Sequence, residues 1–347
     1  VIRVLIVDDS MTAQRTLVAA LEGQDDIAVV GQAATGVEAV SLAQRLRPTL
    51  ITMDIRMPDM DGLTATEQIM AICPTRIIIV SSEVGATDQS LTFRALNAGA
   101  LEVLPKPRLA AQRGLALGEF ESEFVSAVRA MAEVPVVRRR RGVLAPPPPP
   151  HPIPAPPRRS FAALAIGAST GGPQVLVDLC AQLPPDLRLP ILIVQHMSPG
   201  FTSGFARWLG QESPLHVKLA EHGERIENGG VYLAPDGLHL RVGADRRLRL
   251  GDDAAVGHFR PSADELFRSC AQNLGPAAIG LIMTGMGTDG AEGLLAMRRA
   301  GGWTLAQEAE SCVVDGMPNA ARKVGAVEAS VLPADLPGLL IAASGAG

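Results

Sequence analysis

Two sets of residues in this sequence have the types and positions to do chemistry. In the first third, Asp8 and Asp9 directly follow an apolar run at 4–7, and Asp54 directly follows another at 50–53. Three carboxylates at the ends of neighbouring strands repel one another unless a hard dication joins them. Mg²⁺ suits the place, because it takes oxygen ligands and keeps waters for a phosphate group. Lys106, after the run at 103–104 and before Pro107, can bring a point charge to a phosphoryl oxygen. Ser81 follows the run at 77–80 and can donate a hydroxyl. Acids after strands are often simple caps or turn formers. That reading accounts for one such residue, not for acids, a serine and a lysine at four strand ends.

The second set suggests acyl transfer. Ile166-Gly167-Ala168-Ser169-Thr170-Gly171-Gly172 follows an apolar run and precedes a helical pattern. It satisfies G-x-S-x-G, which sets a serine hydroxyl on a sharp strand-to-helix turn. Glycine-rich turns of this kind also hold phosphates, but no G-K-[ST] follows and the full G-x-G-x-x-G spacing is absent. A serine nucleophile needs a base, and the base needs an orienting acid. His196, in Val-Gln-His-Met after the run at 191–194, is the best placed of the six histidines. Asp289, in Thr-Gly-Met-Gly-Thr-Asp-Gly after the run ending at Met283, is the matching acid. The order Ser, His, Asp differs from the Ser, Asp, His of α/β-hydrolases, so that superfold is not implied. Backbone N–H groups of Thr170 and Met286 are the expected oxyanion donors. His216, His222 and His239 lack metal-ligand spacing, and His151 falls among prolines. Ser262 and Glu265 form an S-x-x-E capping box at a helix start, beside Arg260, which could also serve substrate binding.

The elements that must position these groups divide at a proline cluster. The chain has 347 residues, which suggests two domains. Of its 27 prolines, ten lie between Pro135 and Pro157, flanked by Arg138–Arg141 and by Arg158 and Arg159. Polyproline is extended and semi-rigid, so 131–159 is expected to be a linker between domains at 1–130 and 160–347. A proline-rich ligand and a basic arm are the alternatives for it. Residues 1–130 alternate apolar strands with amphipathic helices, the pattern of a parallel sheet covered on both faces. Residues 160–347 restart with a strand, and further buried strands are expected at 191–194, 278–283 and 303–306. Short alternating runs between 215 and 258, including 231–233, 238–242 and 248–250, are expected to be antiparallel hairpins inserted into an α/β sheet.

Composition excludes several classes. Apolar residues are 47% and charged residues 19%, the balance of a folding chain, and a net charge of −5 draws it to neither nucleic acid nor anionic lipid. The four cysteines form no CxxC pair, which suits a reducing compartment rather than a disulfide framework or thiolate zinc site. No apolar run approaches a membrane span, and the first residues do not read as a signal peptide. A soluble, cytoplasmic protein is expected.

Val-Asp-Asp-Ser, Met-Asp-Ile-Arg-Met-Pro-Asp-Met-Asp-Gly, Val-Ser-Ser and Pro-Lys-Pro occur in order over residues 1–125. This segment resembles the receiver domains of two-component response regulators, a doubly wound, flavodoxin-like fold of five parallel strands. The resemblance implies that Asp54 accepts a phosphoryl group from a histidine kinase. It also implies that Asp8, Asp9, Asp54 and the carbonyl of Arg56 hold Mg²⁺, with Ser81 and Lys106 on the phosphoryl oxygens. Two positions depart from the pattern: Val103 stands where an aromatic residue is usual, and Arg56 where Glu or Asn is common.

Ser-Thr-Gly-Gly-Pro, Gln-His-Met-Ser-Pro-Gly-Phe-Thr, His-Phe-Arg-Pro-Ser-Ala-Asp, Thr-Gly-Met-Gly-Thr-Asp-Gly-Ala and Cys-Val-Val-Asp-Gly-Met-Pro follow between 161 and 340. They resemble the chemotaxis protein-glutamate methylesterases, the CheB family, whose architecture joins a receiver to such a domain. The resemblance implies hydrolysis of glutamate γ-methyl esters, and a related deamidation of glutamines, on the cytoplasmic helices of chemoreceptors. Ser169, His196 and Asp289 match the family's catalytic motifs, and no cofactor is expected in this domain. An unphosphorylated receiver is expected to obstruct the Ser169 edge. A binding module without chemistry and an enzyme acting mainly as an amidase are the competing readings. A DNA reader would need a helix-turn-helix and a basic face, and neither is seen in 160–347.

Overall fold

The structure is a computed structural model that describes residues 1–82, 89–106, 117–134 and 155–345. The chain divides into two compact units, residues 1–148 and 149–347. Most of the expected linker, with its proline run and His151, lies outside the described residues, as does Pro107.

The first unit contains β1 (Ile2–Val7), α1 (Met11–Leu21), β2 (Ile27–Ala33), α2 (Gly36–Leu46), β3 (Leu50–Met53), α3 (Gly62–Ile72), β4 (Arg76–Ser81), α4 (Gln89–Ala98), β5 (Glu102–Pro105) and α5 (Leu117–Glu133). Its sheet runs β2-β1-β3-β4-β5, with every ladder parallel. Residues 4–7 and 50–53 are buried, as strands covered on both faces must be. Polar residues start the helices as the sequence dictates: Ser10, Thr35 and Asp61 accept the N–H groups of Ala13, Glu38 and Thr64. The strand order reverses between β1 and β3. Loops on either side of such a switch point leave a crevice at the carboxyl ends of the strands.

The second unit contains β6 (Ala163–Ala168), α6 (Gly172–Cys180), β7 (Ile191–Gln195), α7 (Thr202–Glu212), β8 (His216–Leu219), β9 (Gly230–Leu233), β10 (His239–Val242), β11 (Leu248–Gly251), α8 (Ala263–Asn273), β12 (Ala278–Ile282), α9 (Ala291–Arg299), β13 (Trp303–Gln307), α10 (Met317–Lys323), β14 (Ala329–Val331) and α11 (Leu336–Ser344). The main sheet, β14-β13-β12-β6-β7-β9-β8, is parallel throughout. Its switch point lies between β6 and β12.

One expectation is corrected. Residues 231–233 are not part of an antiparallel hairpin. They belong to β9, which lies parallel between β7 and β8 and is buried along its length. Among the described residues the antiparallel strand pair is β10–β11, a separate two-stranded sheet. It packs on α8 through buried Leu240, Val242 and Leu248. Two polar ties add to this: Ser269 Oγ accepts the Val242 N–H at 3.0 Å, and Asn273 Nδ2 donates to the Val242 carbonyl at 3.0 Å.

Candidate active site

The loops after β6, β7 and β12 meet at the switch point of the second unit and bring Ser169, His196 and Asp289 to one edge of the sheet. Ser169 follows β6 directly, and its N–H donates to the Thr284 carbonyl at 3.0 Å. Thr284 Oγ1 donates in turn to the Thr170 carbonyl at 3.0 Å, and the Thr284 N–H donates to buried Gln307 Oε1 at 2.9 Å. These bonds tie the serine turn to the loop after β12. The approach is close enough to require glycine: a Cβ on Gly285 would lie 2.6 Å from Ser169 Cβ. Gly171 ends the turn at φ +77°, in the left-handed region that other residues rarely adopt. Gln195 Nε2 donates to the carbonyls of Ser169 and His196, each at 2.8 Å, and so clamps the first two loops together.

His196 Nε2 lies 2.9 Å from Asp289 Oδ2. Its other nitrogen, Nδ1, is buried without a hydrogen-bond partner among the described residues. The ring of Phe259 lies flat against the imidazole, with centroids 4.1 Å apart and planes 8° from parallel. Asp289 accepts three further bonds, from Ser262 Oγ at 2.7 Å, Ala263 N–H at 2.7 Å and Asp264 N–H at 3.2 Å. Its carboxylate therefore sits at the amino terminus of α8, where unpaired N–H groups and the helix dipole favour negative charge. Burial pushes the Asp289 carboxyl up, but the bonds from His196, Ser262 and Ala263 outweigh it and hold the pKa below the ordinary 3.8.

This arrangement corrects the capping box read at Ser262 and Glu265. Ser262 is the N-cap residue, but its side chain makes no cap bond. Its hydroxyl is turned to Asp289, and Glu265 pairs with Arg241 at 2.6 Å. An ionised carboxylate from another loop is the stronger acceptor and takes the N–H groups that a serine would otherwise receive.

The two expected oxyanion donors lie in the same loops. The N–H groups of Thr170 and Met286 donate to no acceptor among the described residues. Thr170 is buried, whereas the Met286 side chain is 47% exposed.

In the first unit the β1 and β3 loops gather Asp8, Asp9 and Asp54, each able to offer an oxygen within 4.8 Å of the others. Asp8 and Asp54 are buried and Asp9 is exposed. Lys106 Nζ lies 2.8 Å from both Asp8 Oδ2 and Asp54 Oδ2. Asp54 Oδ1 accepts the Ile55 N–H at 2.8 Å. Burial is the larger influence on Asp54 and raises its pKa to about 6 against the pull of Lys106. The same two carboxylates hold Lys106 above its ordinary value despite its own burial. Lys106 donates its backbone N–H to the Ser81 carbonyl at 3.0 Å, so β4 and β5 deliver the serine and lysine side by side. Arg56 lies exposed in the loop after Asp54, and Val103 is buried within β5. A donor set of hard carboxylate oxygens, with the Lys106 ammonium between two of them, fits Mg²⁺ rather than a softer metal.

Comparison with known proteins gives this geometry a family. The model for the CheB methylesterase family matches residues 164–340, and that for the response regulator receiver domain matches residues 4–113. Protein-glutamate methylesterase/protein-glutamine glutaminase 3 of Anaeromyxobacter dehalogenans (strain 2CP-C) is 48% identical over 336 residues, covering 96% of each chain. The chain belongs to the CheB methylesterase family. A CheB relative from the archaeon Methanospirillum hungatei JF-1, named protein-glutamate methylesterase/protein-glutamine glutaminase 2, is 44% identical over 338 residues and 96% of each chain. The CheB methylesterase catalytic domain of Thermotoga maritima, a crystal structure, superposes with a TM-score of 0.51 at 36% identity. That match covers 53% of this chain and 98% of the other.

Four residues of this CheB-family site were not assigned a place in it from sequence. Thr284, Gln195 and Ser262 lie within motifs already singled out, but a motif does not say which oxygen a side chain will meet. Phe259 lies in the same quoted motif as Ser262, and nothing in the motif says that its ring will stack on His196.

Proposed function

We propose that this chain is a phosphorylation-controlled protein-glutamate methylesterase. It hydrolyses glutamate γ-methyl esters on chemoreceptor helices and deamidates glutamines there. The observation that carries this reading is the 2.9 Å pairing of His196 with Asp289 at the strand-end edge that also bears Ser169.

The proposed chemistry is acyl transfer. With Nε2 on Asp289, the ring nitrogen left to act as base is Nδ1, the buried one without a partner. It takes the Ser169 proton as Oγ attacks the ester carbonyl, and Asp289 stabilises the imidazolium that results. Thr170 and Met286 N–H groups receive the developing oxyanion, where loss of one donor costs on the order of 10²–10³ in rate. The imidazolium returns its proton to the leaving methoxide, and methanol departs. Water then attacks the acyl-serine with Nδ1 again as base, which frees the glutamate and restores Ser169. With a glutamine side chain the leaving group is ammonia, and the steps are otherwise the same.

In the receiver, Asp54 is the proposed phosphoryl acceptor and a histidine kinase of the chemosensory array the donor. Asp8, Asp9, Asp54 and the carbonyl of Arg56 would hold Mg²⁺, which when bound neutralises charge around the acceptor. Ser81 and Lys106 contact the phosphoryl oxygens. Residues 131–159 join the receiver at 1–130 to the esterase at 160–347. Among the described residues no helix is long and apolar enough to cross a membrane. The proposed substrate helices and kinase assign the work of this chain to the cytoplasm.

The test is methanol release from membranes bearing methylated chemoreceptors, with and without a small-molecule phosphodonor and Mg²⁺. Release that rises with the phosphodonor and is lost in Ser169→Ala is the expected result. Equal release from both proteins would refute the nucleophile.

A further inference from the structure

We propose that Ser262 is a positioning residue of the esterase reaction, held in place by the buried imidazole of His239. The inference rests on the triad reading above and extends it to an element that carries no triad member.

His239 lies at the start of β10 and is completely buried. Its Nδ1 accepts the Ser262 N–H at 3.2 Å, and its Nε2 lies 3.2 Å from the Ala254 carbonyl. An accepting Nδ1 puts the proton on Nε2, which then donates to that carbonyl, so both ring nitrogens are used by the neutral ring. Ser262, also completely buried, then directs its hydroxyl to Asp289 Oδ1 at 2.7 Å. A continuous buried chain thus runs from His239 through Ser262 and Asp289 to His196.

The bond to Oδ1 has a mechanical consequence. Apart from His196, Ser262 is the only side chain that donates to Asp289 among the described residues. Backbone donors fix where the carboxylate sits. The hydroxyl makes the shorter of the two bonds to Oδ1, 2.7 Å against 3.2 Å from the Asp264 N–H, so it adds most on that side to how the carboxylate is turned, and rotation about the Cβ–Cγ bond must break it before Oδ2 can leave His196. The Asp264 carboxylate is engaged by the Gly293 N–H at 2.7 Å and by Arg268 at 3.1 Å, so among the described residues, beside the hydroxyl, only the longer Asp264 N–H bond, 3.2 Å, reaches Oδ1. Removing the Ser262 hydroxyl therefore lets the carboxylate swing.

The experiment compares full-length wild type with Ser262→Ala, Ser262→Thr, His239→Asn, His239→Leu and Ser169→Ala in the methyl-ester assay. It reads kcat, KM, the pH profile of kcat/KM and thermal melting. Ser262→Ala is expected to lower kcat on the order of ten- to a hundred-fold, as loss of the supporting partner of a catalytic group commonly does. KM should stay within about two-fold, since no substrate contact is lost. The acid limb of kcat/KM should move to lower pH, because a carboxylate that turns away stabilises the imidazolium less. Ser262→Thr, which keeps the hydroxyl, should recover both kcat and the limb. His239→Asn keeps an acceptor where Nδ1 stood and should lose less activity than His239→Leu. If Ser262→Ala melts below the assay temperature, Ser262→Cys carries the same expectation.

Wild-type kcat and an unmoved acid limb in Ser262→Ala, beside an inactive Ser169→Ala, would overturn this inference alone. So would a loss that tracks melting and that threonine does not recover. Activity in Ser169→Ala equal to wild type would overturn the triad reading and this inference together.

Discussion

Ala263 donates its backbone N–H to Asp289 Oδ2 at 2.7 Å, the same oxygen that lies 2.9 Å from His196 Nε2. One carboxylate therefore closes the start of α8 from outside the helix and orients the histidine. The helix end supplies N–H groups and a positive dipole that keep the acid ionised while buried. The α8 terminus and the active edge therefore share one carboxylate, and a change at Asp289 must be felt in both.

Asp289→Asn preserves shape but turns one oxygen into an N–H₂ group facing donors. The rate should fall by about 10⁴, as when a triad acid loses its charge elsewhere. Loss of the cap should cost about 0.5–2 kcal/mol of stability. The folded pKa of Asp289 lies below 3.8, so its ionised form is favoured by the fold. That contribution is complete above the unfolded value and is lost as pH falls through the folded one. The melting difference between wild type and Asp289→Asn should thus be wide at about pH 7 and close below about pH 4. A difference that stays constant down to about pH 3 would exclude the proposed role of the charge.

Gly285→Ala tests the contact between the serine turn and the loop after β12. The added Cβ would sit 2.5 Å from Met317 Sδ and 2.6 Å from Ser169 Cβ. The methionine can move, but Ser169 meets the new Cβ with its own Cβ and backbone N, so either the serine turn or the loop that carries the Met286 N–H must shift. A fall in kcat of at least about ten-fold is expected, since about 1 Å of misplacement can cost 10². Gly338→Ala, in α11 with open space around it, is the control and should not slow the enzyme. Unchanged kcat in Gly285→Ala would show that the loop yields without displacing the serine.

The strand-end residues were legible because each follows an apolar run long enough to be a buried strand. Parallel strands deliver their carboxyl ends to one edge. Asp8, Asp54, Ser169 and His196 all follow from that rule. Strand direction was not legible for 231–233. A three-residue apolar run bounded by glycine and alanine reads alike in either orientation, and its partner Ile191–Gln195 lies far away in sequence. The Ser262 capping box failed for a related reason. The spacing was correct, but the acceptor that won comes from 27 residues further along. Local patterns record which groups need partners, and the fold decides which partner arrives.

Lys106→Met tests the carboxylate cluster. Lys106 is the cation that the structure places 2.8 Å from both Asp8 and Asp54. Its removal leaves two buried carboxylates without a counter-charge, a change that destabilises by about 3–5 kcal/mol in buried pairs. The first unit of the variant should melt well below wild type in chelator. Mg²⁺ should then raise the melting temperature of both proteins, and that of the variant more, because a ligand bound only by the folded state stabilises by mass action. Calorimetry in chelator and in Mg²⁺ decides the point. Melting indifferent to Mg²⁺ in both proteins would mean that these acids do not form a metal site.

Ser81→Ala separates phosphorylation from its consequence. In receivers the signal usually involves an aromatic side chain three residues before the lysine, and here that position is Val103, buried within β5. With valine in that place, the proposed change at Asp54 is read here as passing to the groups at the ends of β4 and β5. Ser81 is buried there, and its carbonyl accepts the Lys106 N–H at 3.0 Å. Its hydroxyl is the group proposed to follow a phosphoryl oxygen on Asp54. Ser81→Ala should still take label from a small-molecule phosphodonor, since Asp54, its acidic neighbours and Lys106 are intact. Its methanol release should no longer rise with that donor, whereas Asp54→Asn should lose both label and response. Release that still climbs in labelled Ser81→Ala would move the relay elsewhere, to Lys106 or to the loop that carries Arg56.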